Sequence, residues 1–146
     1  MEDVTGKHPV TLAVVQMDCA LGDVEGNLAS IAHYSRAAAE LGADLVVFPG
    51  CATTGYFVAE RLTELAEPPD GHSSRRLSEI ARTNRIHLAI GLIITEEGRF
   101  YDAQTLHGPD GRLLAFIDRR KRPFGQTPHQ PDLIVANFTE LAATLA

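Results

Sequence analysis

A chain of 146 residues, 45% hydrophobic and 22% charged, is one domain's worth of ordinary globular sequence. A net charge of −6 excludes a general nucleic-acid binder, which needs a positive face for phosphates, and speaks against an anionic membrane surface. No apolar run reaches the length of a membrane span, and the acidic start (Glu2, Asp3) lacks the apolar core of a secretory signal. Without an export signal, Cys19 and Cys51 are expected as reduced thiols in the cytoplasm. The Asn137-Phe138-Thr139 sequon is then without consequence.

In chain order, 10–17 is a β-rich apolar run and predicts a first strand buried on both faces. Asp23 is the expected N-cap of a helix, with Glu25 in its first turn. Leu28, Ile31, Ala32, Ser35 and Ala38 or Ala39 recur at helical spacing, with Arg36 and Glu40 on the outer side. Gly42 ends that helix, and 44–48 follows as a second strand. Strand, helix and strand within about forty residues make a βαβ unit, hence a parallel pair.

A short helical piece is predicted over 59–66, a break at 67–71, and a second helix over 73–84 with Leu77, Ile80 and Ala81 inward. The next strand, 86–94, is nearly continuous in apolar residues. Glu96, Glu97 and Gly98 turn it into a hairpin series over 99–106 and 112–117, joined by Gly108-Pro109-Asp110-Gly111. A strand over 132–136 and a helix start over 139–146 close the chain. No internal repeat or linker divides it.

Several segments resemble one family in order and spacing. Val14-Val15-Gln16-Met17 with Gly22, Asp23 and Asn27 is similar to its opening strand and loop. The run from Gly42 to Pro49 is similar to the approach to its glutamate. Gly91-Leu92-Ile93, Tyr101-Asp102 and the hairpin from Gly108 to Leu114 match later segments. Together, collinear over 10–125, they resemble the nitrilase, or carbon–nitrogen hydrolase, superfamily. The resemblance implies an α/β fold: part of a nitrilase-like αββα sandwich, one mostly buried sheet with helices on one face. It implies a single truncated domain, 1–146, lacking the family's second half and leaving the inner sheet face uncovered. It further implies self-association or association with a homologue, a small amide-type ligand, and no cofactor.

The family's chemistry is acyl transfer at an amide or nitrile carbon. A cysteine thiolate attacks, a glutamate takes the proton, and a lysine stabilises the anionic intermediate. At the place of the glutamate, directly after Phe48-Pro49, this chain has Gly50, which has no side chain to move a proton. The lysine's place falls to Arg120, or to Lys121 by a slip of one residue that turns the side chain to the opposite face of an extended segment. No cysteine lies beyond Cys51, and Leu133 to Asn137, ahead of Phe138, contains none. The resemblance therefore implies a catalytically inactive or severely impaired relative. Its alternatives are a non-catalytic binding or assembly partner of a full-length homologue, and the N-terminal fragment of a disrupted amidase gene.

Thr53, Thr54 and Tyr56 are candidates to line a pocket, although turn formation also explains the threonines. Cys51 beside the lost base reads as a small buried apolar residue rather than a relocated nucleophile, and Cys19 reads alike. Arg119, Arg120, Lys121 and Arg122 read as a solvated loop. The six histidines lack metal-ligand spacing, so no metal site is expected.

Overall fold

The computed structural model describes residues 9–118 and 133–135. Its elements run β1 (Leu12–Val14), α1 (Val24–Glu40), β2 (Leu45–Val47), a 3-10 turn (Ala59–Arg61), α2 (Leu62–Leu65), α3 (His72–Asn84), β3 (His87–Glu96), β4 (Arg99–His107), β5 (Leu113–Asp118) and β6 (Leu133–Val135). The strands form one sheet in the order β1-β2-β3-β4-β5-β6. β1, β2 and β3 are parallel, β3 to β5 are antiparallel, and β5 and β6 are parallel. The expected βαβ unit is therefore present.

The two longer helices, α1 and α3, start where a side chain satisfies otherwise orphaned backbone donors. The Asp23 carboxylate accepts from Gly26 N at 3.0 Å at the head of α1. At α3, the Glu67 carboxylate reaches forward from the preceding loop, accepting from Ser73 N at 2.7 Å and Ser73 Oγ at 2.6 Å. The main chain of Glu67 also joins the sheet, since its carbonyl accepts from Thr95 N at 2.8 Å. One residue thus fixes α3 against β3.

The core lies between the sheet and the paired helices α1 and α3. Leu28 and Ile31 from α1, Leu77, Ile80 and Ala81 from α3, and Val46, Leu88, Ile90, Leu92 and Ile94 from the sheet are all buried. The inward stripes expected from the spacing are the ones observed. The β3–β4 turn is Glu97-Gly98 with φ of 51° and 73°. Two consecutive positive φ values match the twist that a two-residue hairpin demands.

The first strand departs from expectation. β1 is three residues long, and Leu12 and Val14 are 54% and 73% exposed, so it is not buried on both faces. Register explains the split. Ala13 lies beside Val46 and Leu88 on the helix-covered face, whereas Leu12 and Val14 lie beside Leu45 and Val47 on the other. An apolar run shows that two faces are suited to burial; it does not supply the layer that covers the second.

Candidate functional site

The site grows from the end of β2. Phe48 N donates to Ala89 O at 2.9 Å, carrying the ladder one step past the strand. Gly91 N then donates to Pro49 O at 3.4 Å, and Ala52 N to Gly91 O at 3.2 Å. The loop is clipped to β3 on both sides of Gly50. This approach is possible because β3 has a glycine at 91: a Cβ there would lie 2.5 Å from Gly50 Cα and 2.8 Å from Cys51 N.

A tight turn follows. Thr54 N and Gly55 N both donate to Cys51 O, at 3.1 and 2.7 Å. Cys51 adopts φ of 51°, a left-handed conformation disfavoured by roughly 1 kcal/mol or more for a residue with a Cβ. Asn27, buried in α1, anchors the turn from below. Its Nδ2 donates to Thr53 O at 3.0 Å and to Ala20 O at 2.8 Å, while its Oδ1 accepts from Ala20 N at 2.9 Å. Gly22 N adds a bond to Thr54 O at 2.8 Å, so the loops after β1 and β2 form one floor.

The candidate residues are distributed unequally over this floor. Gly50 and Tyr56 meet: the Tyr56 hydroxyl lies over Gly50, so a Cβ at 50 would overlap Oη and come within 3.2 Å of Cζ. The ring of Tyr56 is otherwise turned outward, the residue being 63% exposed. Thr53 and Thr54 are buried, and Thr54 Oγ1 donates locally to Gly55 O at 3.1 Å. Thr53 borders a cavity shared with Leu65, Glu67, Ser73, Leu92 and Ile94, of about 10 Å³, the room of one water molecule. Cys51 is buried. Cys19 is half-buried, and burial, with the negative Asp18 beside it, pushes its thiol up, away from the nucleophilic thiolate. Arg120, Lys121 and the surrounding basic cluster lie outside the described residues. Among the described residues, no three His, Cys, Asp or Glu side chains are grouped to hold a metal ion, and no helix is long and apolar enough to cross a membrane.

Two residues were not singled out by sequence reasoning. One is Gly91 as the seat of the loop, signalled only by a glycine inside an apolar strand. The other is His107, 0% exposed at the end of β4. Its Nε2 lies 3.1 Å from Thr105 Oγ1 and its Nδ1 lies 2.9 Å from Ser78 Oγ on α3. Because Thr105 Oγ1 donates to Ile90 O, it accepts from Nε2–H, which leaves Nδ1 to accept from Ser78. Burial pushes His107 down to about 4, so it is neutral at pH 7.

A parallel sheet edge, a helix pair on one face and a loop after Phe48-Pro49 set against β3 define a nitrilase-type α/β chain. The chain belongs to the carbon–nitrogen hydrolase family, whose model matches residues 11–140. It is 35% identical over 105 residues to the omega-amidase of Homo sapiens, covering 71% of this chain and 37% of that protein. It is 28% identical over 88 residues to an (R)-stereoselective amidase of a Pseudomonas species, covering 60% of this chain and 32% of that protein. The chain therefore spans well under half the length of these relatives. The solved amidase of Nesterenkonia sp. shares the fold, with a TM-score of 0.69 at 24% identity over 80% of this chain and 44% of that one. A variant of that amidase has also been solved with butyramide bound.

Proposed function

We propose that this chain is a carbon–nitrogen hydrolase relative whose amide hydrolysis is lost or severely impaired. The observation that carries the reading is Gly50. The resemblance puts the family's general base at this residue, at the end of β2 and pressed against Gly91, and no side chain is there to take a proton. Removing a general base lowers a rate by about 10²–10⁴. The nearest carboxylates in sequence offer no replacement. Asp44 lies before β2 and its side chain accepts from Thr11 N at 2.7 Å, while Glu60 lies beyond the loop in the 3-10 turn.

The lysine's role would fall to Arg120 or Lys121, and the ligand would be a small amide, as the butyramide complex of the Nesterenkonia amidase suggests by analogy. The unbridged Cys19 and Cys51 support a cytoplasmic setting. The test is direct. Purified protein incubated with a panel of simple amides, butyramide included, is expected to release ammonia no faster than buffer. Release above buffer that disappears in Arg120→Ala or Lys121→Ala overturns the reading.

A second reading, assembly with a homologue or a second copy, is favoured by the exposed Leu12 and Val14 beside the partly covered Leu45 and Val47. Contiguous apolar sheet of this kind favours a covering partner. Sedimentation that finds one copy at every concentration, with no homologue co-purifying, would dismiss it.

A further inference from the structure

The edge of β3 that faces β2 continues beyond the point where β2 ends. Gly91 turns both its main-chain groups to this side, its N donating to Pro49 O at 3.4 Å and its O accepting from Ala52 N at 3.2 Å. Two residues on, Ile93 O accepts from Glu67 N at 3.5 Å, and Thr95 N donates to Glu67 O at 2.8 Å. Main-chain groups alternate in direction along a strand, so Ile93 N points to the same edge as Gly91 N and Thr95 N. It falls between Ala52 and Glu67, and among the described residues no acceptor meets it there. The cavity of about 10 Å³ opens at this place, bordered by Ile93, Thr53, Glu67 and Ser74. Thr53 is 2% exposed, and its hydroxyl also finds no partner among the described residues. The Glu67 carboxylate, which accepts from Ser73 N and Ser73 Oγ, keeps lone pairs to spare.

We propose that this cavity binds one water molecule, which completes the sheet edge at Ile93. The water accepts from Ile93 N–H, donates to the Glu67 carboxylate and makes its third bond with the Thr53 hydroxyl. A main-chain N–H shut away from solvent costs free energy without an acceptor, and buried waters typically make about three bonds to such groups. The room sets the size of the occupant, since about 10 Å³ suits one water and nothing larger. The N–H sets its kind: a donor aimed into the cavity repels a cation, although a carboxylate lies beside it. Glu67 also fixes the first turn of α3, so the water ties the loop bearing Gly50 and Thr53 to that helix. The site is independent of whether Gly50 stands where a catalytic base once did.

Water–amide cross-relaxation, measured by nuclear magnetic resonance on the whole chain, tests this. Ile93 N–H is expected to show a cross-peak with water carrying the sign of an immobilised molecule. The peak should remain in Thr53→Val, where no hydroxyl at 53 can relay it from solvent and two partners still hold the water. Hydrogen exchange reads the third bond. In Thr53→Val the Ile93 amide should exchange about five-fold faster relative to that of Thr95, which bonds directly to Glu67 O. Thr53→Ser, which keeps a hydroxyl, should restore the ratio. Absence of the water peak at Ile93 overturns the proposal, and the unaltered protein decides this even if Thr53→Val does not fold. A peak that vanishes in Thr53→Val also overturns it, as does exchange that moves equally at Ile93 and Thr95 in that variant.

Discussion

Gly91→Ala is expected to destabilise the protein by about 3 kcal/mol, the upper part of the usual range for overpacking. The three atoms nearest the added methyl are all main chain. It lands 2.5 Å from Gly50 Cα and 2.8 Å from Cys51 N, both main-chain atoms of a loop held to β3 by bonds on either side. To relieve the clash the loop must lift, losing the bonds from Gly91 N to Pro49 O and from Ala52 N to Gly91 O. Gly50→Ala provides the contrast. Its nearest described contact is the far end of one flexible side chain, that of Tyr56, rather than main chain, so the loss should be the smaller of the two, about 1 kcal/mol. Urea midpoints of the two variants beside the unaltered protein decide the matter. Equal losses would show that the loop does not sit on β3 as described.

Acid should weaken the fold through His107. In the folded protein the imidazole is pushed down to about 4 by burial, against 6.5 for the ordinary group. The unfolded chain therefore takes up the proton first. Stability from the neutral ring is complete above pH 6.5 and is lost as the pH falls from there to about 4, amounting to about 3 kcal/mol in all. Below pH 4 this contribution stops changing. Protonation would also turn Nδ1 from acceptor to donor, forcing Ser78 Oγ to reorient. Urea unfolding at pH 7 and pH 4.5 measures the difference, and His107→Gln should lose most of it. A variant with an undiminished acid slope would place the titration elsewhere.

Much of this architecture can be read from residue patterns. The stripes of α1 and α3 repeat at helical spacing, and Asp23 marks where α1 begins. The apolar run of β3 and the Glu97-Gly98 turn define the hairpin by themselves. These features are local, so adjacent residues carry the signal. What escaped the sequence depends on partners far along the chain. His107 looks unremarkable until Ser78, 29 residues away, is brought against it. The exposure of Leu12 and Val14 depends on which layer covers them, and composition is silent about that. At the candidate site, the resemblance alone draws attention to Gly50, directly after Phe48-Pro49. It does not reveal that the Tyr56 hydroxyl lies over Gly50, because the return of Tyr56 depends on the turn held by Cys51 O and Asn27.

The Asn27 carboxamide has a consequence for how this molecule can change over generations. One side chain serves both the segment at Ala20 and the segment at Thr53, committing two donor hydrogens to carbonyls and one acceptor to an amide. An isosteric aspartate would face those carbonyls with a second oxygen, converting two attractions into repulsions. Drift in either segment is therefore constrained by the other, and the stretch bearing Gly50 takes its shape in part from one side chain of α1.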